Sequence, residues 1–326
     1  MSLSQMQVFN KYFMPATIET LAQMVDKFNA ASGGAIRLTT EGFEGDFLQE
    51  SFYAAIHSAQ RRVDRYAAQA AAPPTDLTQL KHSTVKVAGG FGPVRFEPSQ
   101  MTWLNKPTAE GIEVASRNFA EALLRDQLNT AIAALVAAIS NQGAATTVDV
   151  SATKKIDYAT VNDSHALFGD HSPNLAAQVM DGVSYHAFVG ANLANTENLF
   201  QSGNVRVVDI LSRTVVVTDA PALYSAAVAD PVTPAKRRVL SLVPNAATVS
   251  DSRDIISNIE TSNGQTRIET TLQIDYTFGL GLKGYTWDEG NGGKSPTDVE
   301  LGTGSNWDKI ASSIKHTAGV LAIGQA

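Results

Sequence analysis

The 326-residue sequence contains no cysteine, which excludes disulfide frameworks, thiolate zinc sites, iron–sulfur clusters and cysteine nucleophiles. It also lacks long apolar runs, because the longest, residues 131–139, is far short of the roughly 20 residues that a membrane helix needs. The segment from Met1 to Gln5 shows no basic region followed by an apolar stretch, so we expect no secretory signal. These absences indicate a reduced, cytoplasmic setting.

Charged residues are scarce as well. They make up 17% of the chain, against about a quarter in a typical soluble protein. The formal net charge of −7 argues against a dedicated nucleic-acid binder, which would need an excess of lysine and arginine. Hydrophobic residues, at 44%, exclude disorder as the overall state. Two interpretations stay open: other molecules cover much of the surface, or the chain is an ordinary alanine-rich globule.

The first 75 residues predict two helices. One apolar helical face follows Pro15 and ends before a glycine pair. A second apolar series, at spacings of three and four, extends from Leu48 to Tyr66 and stops before two prolines. These helices are either an arm that packs on a neighbouring subunit or ordinary surface helices of the same domain. The first face comprises Ile18, Leu21, Met24, Val25 and Phe28.

A β-hairpin is predicted next. Val85 and Val87 alternate with polar residues, and so do Val94 and Phe96. The intervening residues 89–93 are rich in glycine and end in proline, which is typical of a turn. A two-stranded ribbon is marginally stable alone in water, so it must lie against another surface of this chain or of another subunit.

The longest helical pattern covers residues 108–142. At 1.5 Å per residue this helix would extend about 50 Å, which is long for a compact domain. The alanines toward its end permit close packing on a sheet. Much later, residues 266–278 alternate apolar and polar side chains and would span about 43 Å as a strand. A long helix and a long strand together predict an elongated body with a mixed α/β (α+β) fold.

Between these two long elements, helix and strand patterns alternate. The valines of the segment 214–218 are typical of an inner strand that is covered on both sides. The predicted elements are helices at residues 172–180 and 185–199 and strands at residues 205–210, 214–218 and 238–243.

Two glycine-rich stretches resemble nucleotide-binding loops but fail their requirements. Residues 279–284 match GxGxxG, yet no helical pattern follows whose N-terminus could meet a pyrophosphate, so we predict a strand that twists or bulges at its glycines. Residues 290–295 resemble a Walker loop, but Asp288 stands where glycine is required and Pro296 stands where a helix should run. We predict a simple loop there.

Four metal-ligand residue types lie close together in sequence: Asp163, His165, Asp170 and His171. The histidine spacing does not place both on one helical face, and the turn residues around them favour local capping hydrogen bonds over a metal. No GxSxG, HExxH or EF-hand pattern occurs. The basic run at residues 236–238 is interpreted as a solvated strand entrance. The sequence therefore predicts no cofactor, no metal site and no catalytic residue.

The order of these elements resembles the major capsid protein of tailed bacteriophages: helical arm, glycine-tipped ribbon, long helix, mixed middle, long alternating strand. Residues 199–209 (LFQSGNVRVVD) and 214–221 (TVVVTDAP) are also similar to what these coat proteins carry near the junction of their two domains. The resemblance covers nearly the whole chain.

This resemblance implies five segments and a set of assembly contacts. In such proteins the extended loop lies over the adjacent subunit and the arm reaches across neighbours. The implied segments are residues 1–75, the N-terminal arm with helices; 76–106, the extended β-hairpin loop; 107–165, the peripheral domain with its spine helix; 166–258, the axial domain; and 259–326, the long strand of the peripheral domain with the C-terminal segment. The implied contact residues are Val85, Lys86, Val87, Gly89, Gly90, Phe91, Gly92, Pro93, Val94, Arg95 and Phe96 in the loop and Phe9, Tyr12 and Phe13 in the arm.

The function implied by the resemblance is structural. Copies of the chain would close into hexamers and pentamers that enclose double-stranded DNA in the virion capsid, after assembly in the host bacterial cytoplasm. The implied partners are other copies of the chain, a separate scaffolding protein, a portal and the packaged DNA through weak non-specific contact, whereas a decoration protein is left open. No membrane is involved. Two alternatives stand beside it: the shell of an encapsulin-type compartment and, in a different class, a soluble α/β enzyme with an unrecognised site.

Overall fold

The structure is a computed structural model. It describes residues 3–39, 47–53, 62, 64–66, 68, 79–96, 108–194, 213–229, 232–251, 254–264, 266 and 268–326. The helices in these ranges are α1 (Leu3–Ala31), α2 (Thr108–Ser140), α3 (Tyr158–Ala166), α4 (Gly182–Ala194), α5 (Glu289–Gly292) and α6 (Asp298–Leu301).

The described residues form two six-stranded sheets and two small strand pairs. The first sheet has the order β1-β11-β13-β3-β2, with β12 pairing β13 beyond the end of β11. The second sheet is mixed, has the order β4-β16-β10-β5-β6, and adds β7 beside β10. The strands are β1 (Ile36–Thr39), β2 (Phe47–Tyr53), β3 (Gln79–Phe96), β4 (Thr147–Asp149), β5 (Ala177–Met180), β6 (Thr214–Val217), β7 (Tyr224–Ser225), β8 (Val228–Ala229), β9 (Val232–Thr233), β10 (Lys236–Leu242), β11 (Ala247–Asp251), β12 (Ile256–Asn263), β13 (Ile268–Leu282), β14 (Tyr285–Trp287), β15 (Trp307–Lys309) and β16 (Gly319–Gln325).

The first predicted helix is confirmed as the second half of α1, which begins well before Pro15. Leu21 and Val25 are buried, so this half of α1 belongs to the main hydrophobic core. The helix ends where predicted, because Gly33 adopts a φ of 61°, a left-handed conformation that glycine tolerates without strain.

The second predicted helix is wrong over its first part. Residues 47–53 form β2 and pair antiparallel with β3, with Phe47 opposite Val85 and Tyr53 opposite Gln79. The aromatic residues of this segment favour a strand, and a partner strand that lies far along the chain supplies hydrogen bonds that local periodicity cannot reveal. Most of the remaining predicted helix lies outside the described residues.

The predicted hairpin is also wrong, because β3 is a single strand that passes through residues 89–93 without turning. It pairs antiparallel with β13 from Thr270 opposite Phe96 to Leu280 opposite Val85. One β-bulge interrupts the register between Leu272 and Ile274. The glycines of this segment therefore serve strand pairing, for a reason given with the site below.

The long helix is confirmed as α2, with 33 residues. Its C-terminal half is the centre of the core, where alanines alternate with the fully buried Ile132, Leu135 and Ile139. Alanine leaves room for close approach, and α2 contacts α1, β11, β13 and β16. The segment Ser116–Ser140 has the length and mean hydropathy, 1.3, of a membrane span, but 61% of its apolar window is buried inside the molecule, as in the core helix of a soluble protein.

The middle of the chain contains both corrections and confirmations. The predicted helix at residues 172–180 is wrong, since Gly169–Asn174 forms a 3-10 helix that leads into the buried strand β5. The strand at 214–218 is confirmed as β6, but it lies at an edge and is half-exposed, so the predicted inner position is wrong. The strand predicted at 238–243 is confirmed as β10. The helix predicted at 185–199 is confirmed as α4 as far as Ala194, where the described range ends. The predicted strand at 205–210 lies outside the described residues.

The long alternating strand is confirmed as β13 and continues through the GxGxxG stretch to Leu282. The chain turns at Gly284, whose φ of 80° again requires glycine. Beyond the turn, the buried Trp287 and Trp307 pack edge to face with ring centroids 4.9 Å apart. A side chain on Gly292 would collide with the Trp287 ring at 2.1 Å, so part of the Walker-like stretch is glycine because an indole covers it. The Walker-like stretch begins inside the single-turn helix α5, whose N-cap residue is Asp288.

Candidate functional site

The residues predicted as an extended loop do not form one contact surface. Val85 and Val87 point into the core and are buried, and Lys86 and Phe91 are half-buried. The exposed members are Gly90 and the run from Gly92 to Arg95 on the distal part of β3. Phe96 belongs to the strand, but its side chain lies outside the described residues.

Gly89 and Gly90 are glycines because other side chains occupy their space. A Cβ on Gly89 would lie 2.7 Å from Cζ of Tyr276, the residue opposite it in the register, and a Cβ on Gly90 would lie 2.7 Å from Oδ1 of Asp275. The phenol of Tyr276 extends across β3 and donates a 2.6 Å hydrogen bond to Oδ2 of Asp126 on α2. Burial first, and then this hydrogen bond and the carboxylate charge, raise the pKa of Tyr276, so it remains a neutral donor.

The distal part of β3, with β12 and the paired part of β13, forms a three-stranded ribbon that exposes apolar and charged side chains. Val94 is 55% and Ile256 69% exposed. Arg95 pairs with Glu269 across the ribbon at 3.3 Å. Of the predicted loop residues, Val94 and Arg95 lie on this ribbon, in which β3 joins two strands, β12 and β13, that are distant from it in sequence.

Two ion pairs join the base of this ribbon and the proximal part of β3 to the rest of the fold. Lys86 pairs with Asp254 at 2.8 Å, and this contact lowers the pKa of the aspartate. Lys81 and the buried Ser83 both donate to Glu289 of α5, at 2.8 and 3.1 Å. These exposed contacts align the strand with its neighbours and contribute little to the free energy of unfolding.

The predicted arm residues Phe9, Tyr12 and Phe13 all lie on α1, and their side chains lie outside the described residues. The three residues therefore share one continuous helix with the half of α1 that packs in the core. Their role in assembly stays a prediction.

Sequence reasoning missed the edge of the second sheet. Among the described residues, β6 pairs with β5 alone, so its other side presents backbone donors and acceptors. Val217 at its end is 48% exposed. Tyr224, 44% exposed, stacks on the guanidinium of Arg237 at 5.0 Å, and Arg237 pairs with the buried Asp181. In the sequence, the polar residues on either side of the valine run of β6 are the signal that could have indicated an edge strand.

Within the described residues, the metal-ligand residue types considered above do not form one cluster. In the part of the chain that the structure describes, no three histidine, aspartate or glutamate side chains are placed to hold a metal ion. His165 is instead buried on α3, with Nε2 2.8 Å from Oγ of Ser241. His171 lies apart from it, against the ring of His316, with centroids 5.4 Å apart.

The chain matches a family of known proteins along most of its length. The family model described as "Gp13-like: Major capsid protein 13-like" matches residues 5–321. The chain belongs to this family. No curated protein sequence matches it.

Solved phage capsid structures share its architecture. The cyanophage Pam1 capsid asymmetric unit gives a TM-score of 0.52 at 14% identity, covering 89% of this chain and 88% of that chain. The capsid of Ralstonia phage GP4 gives 0.49 at 10% identity, covering 90% and 88%, and Mycobacterium phage Adephagia gives 0.49 at 10%, covering 90% and 89%. At such identities the likeness to the Pam1 structure establishes the fold and no more.

The family assignment establishes the function. This Gp13-like protein is a structural subunit of a phage capsid, and it has the mixed helix and sheet fold of such subunits. The two alternatives, an encapsulin-type compartment shell and a soluble α/β enzyme, are not favoured by these findings.

Proposed function

We propose that copies of this chain close into hexamers and pentamers and form an icosahedral shell around double-stranded DNA. The observation that carries the proposal is membership of the major capsid protein family over residues 5–321. A shell of this kind is stabilised by many contacts of modest area, and closed symmetry satisfies each interacting patch. The net charge of −7 suits an interior that must not hold packaged DNA tightly.

The exposed surfaces of the subunit support this proposal. The three-stranded ribbon exposes Val94 and Ile256, and the second sheet ends in the half-exposed edge strand β6. Apolar residues at an open edge are a liability for a monomer, since the edge can template pairing with another chain. In a shell, neighbouring copies cover such edges.

The exposed residues of the predicted extended loop lie on the distal part of β3. We propose that this part of β3, including Val94 and Arg95, contacts the adjacent subunit. The arm contacts of Phe9, Tyr12 and Phe13 stay part of the proposal.

The remaining parts of the proposal concern location and partners. We propose assembly in the host bacterial cytoplasm with a separate scaffolding protein and a portal, and no catalytic activity. Contact with the packaged DNA would be weak and non-specific. The five sequence segments stay as proposed domains, although β4 and β16 lie in the same sheet as β5 and β10.

Electron microscopy of the full-length protein tests the shell. The chain is expressed alone and together with the scaffolding protein of its own virus, and particles are examined in negative stain and then by cryo-microscopy. We expect closed shells with pentamers at the vertices and hexamers between them. A compact monomer or dimer under every condition would contradict the proposal.

A further inference from the structure

An open cleft of about 380 Å³ lies where the loops of the two sheets meet. Its walls come from the turn between β10 and β11, the end of β13, the loop before β16 and the 3-10 helix Gly169–Asn174. The residues that give the cleft its character are two lysines, two histidines and two asparagines. They are Lys283, Lys315, His171, His316, Asn174 and Asn245.

The cleft carries positive charge in an acidic protein. Lys283 is exposed, and among the described residues its ammonium contacts only the carbonyl of Pro244, at 3.4 Å. Lys315 pairs with Asp170, whose side chain is 72% exposed at the rim. Among the described residues, no carboxylate lines the cleft itself, and the pairing with Asp170 neutralises one lysine at most.

The backbone fixes both sides of the cleft. The N–H of Lys283 donates to the carbonyl of Ala246 at 2.9 Å, and the N–H of Asn245 donates to the carbonyl of Gly34 at 2.8 Å. Arg213 secures the opposite wall, where its guanidinium donates to the carbonyls of Ser172, at 3.0 Å, and Pro173, at 2.8 Å. The basic side chains therefore project from anchored segments.

We propose that this cleft binds a phosphate group. Lysine, imidazole and amide N–H groups supply donors from several directions, and a phosphate presents its acceptor oxygens in a tetrahedral arrangement, with a charge of −1 in the DNA diester and close to −2 in a free phosphate. A carboxylate is a weaker match, because its two oxygens lie in one plane and meet donors from fewer directions. The phosphate comes either from the backbone of duplex DNA or from a free phosphate. This inference does not depend on shell assembly and is tested on the unassembled subunit.

Isothermal titration calorimetry of the full-length subunit with sodium pyrophosphate, at constant ionic strength, measures the site. The double variant Lys283→Gln/Lys315→Gln should weaken binding about tenfold or more, since both charge-assisted contacts are removed. The matched control Lys154→Gln/Lys155→Gln removes one ion-paired and one exposed lysine near the far end of β16 and should change binding less than about twofold. Asp170→Asn should tighten binding severalfold, because it removes the competing carboxylate.

A second titration with short duplex DNA, followed by fluorescence anisotropy, identifies the source of the phosphate. If the double variant, unlike the control, loses affinity for duplex DNA as well as for pyrophosphate, the site binds the DNA backbone. If it loses affinity for pyrophosphate alone, the site binds a free phosphate. The proposal is overturned if the wild-type subunit does not bind pyrophosphate, if the control variant loses as much, or if acetate binds equally well. Far-ultraviolet circular dichroism and the thermal midpoint verify that each variant is folded.

Discussion

Acidification should destabilise the subunit through one buried histidine. His165 is 6% exposed on α3, and its ring contacts Ser241 of β10. Burial, and then the positive charge of Arg213, lower the pKa of His165 from 6.5 to about 4. The native state therefore keeps the imidazole neutral at pH values where the unfolded chain already binds a proton.

The sign and size of the effect follow from linkage. Where the unfolded state binds more protons, stability rises with pH, so this group's contribution is complete above pH 6.5 and is lost as the pH falls toward 4. A fall in pKa from 6.5 to about 4 corresponds to about 3 kcal/mol in total. About 2 kcal/mol of this is lost between pH 8 and pH 5.

Urea denaturation of the unassembled subunit at pH 8, 7, 6 and 5 measures this loss. His165→Asn cannot titrate but keeps a polar group beside Ser241. It should lower stability at pH 8 through lost packing, yet its free energy of unfolding should fall between pH 8 and 5 by about 2 kcal/mol less than that of the wild type. The exposed His186 of α4, changed to Asn, is the matched control and should retain the wild-type pH dependence.

Equal pH dependence in the wild type and His165→Asn would refute the reasoning. Carboxylates that are stabilised in the folded state do not confound the comparison. Asp157, for example, has its pKa lowered to about 2 by hydrogen bonds from Lys154 and Thr160, and it contributes equally to both proteins. The difference between the two titrations therefore isolates the buried imidazole.

Two further substitutions test the packing and the edge. Gly89→Ala places a Cβ 2.7 Å from the Tyr276 ring and should lower the free energy of unfolding, measured by thermal denaturation, by about 1–3 kcal/mol. The control Gly190→Ala in helix α4, where an added Cβ meets no atom within 4 Å, should raise it by about 0.5–1 kcal/mol. An equal response of both variants would contradict the close-contact argument. Val217→Lys on the open edge of β6 should leave subunit stability within about 0.5 kcal/mol and reduce the yield of shells by microscopy. The control Val299→Lys, at a 79% exposed position of α6, should assemble normally, and equal yields from both variants would remove β6 from the proposed contacts.

The long elements were predictable because local pattern decides them. The apolar stripe of α2 and the alternation along β13 each extend over more than a dozen residues, so a local error in either pattern does not change the result. The family resemblance rested on the order of such elements, and membership of the family confirms it. The phosphate-binding cleft could not be predicted in the same way, since its residues come from four separate segments.

The errors arose where a distant partner decides the conformation. Residues 89–93 have the composition of a turn, but their glycines accommodate Tyr276 and Asp275, which lie nearly 190 residues further along the chain. β2 has a helical spacing of apolar residues, yet β3 provides it with a partner strand. In both cases non-local pairing overrides local preference, which is common for strands.

The position of β3 also changes where assembly contacts should be sought. β2 pairs with residues 79–85 of this strand and β13 with residues 85–96, and Val85 and Val87 are in the core, so removing the strand would unfold the subunit rather than free a loop. Contacts that can form and break between copies belong to parts that the core does not need. The informative change is therefore at the exposed distal end of β3: we expect Val94→Asp to give a folded subunit, judged by its thermal midpoint, that no longer closes into shells. Normal shells from that variant would show that Val94 is not an assembly contact.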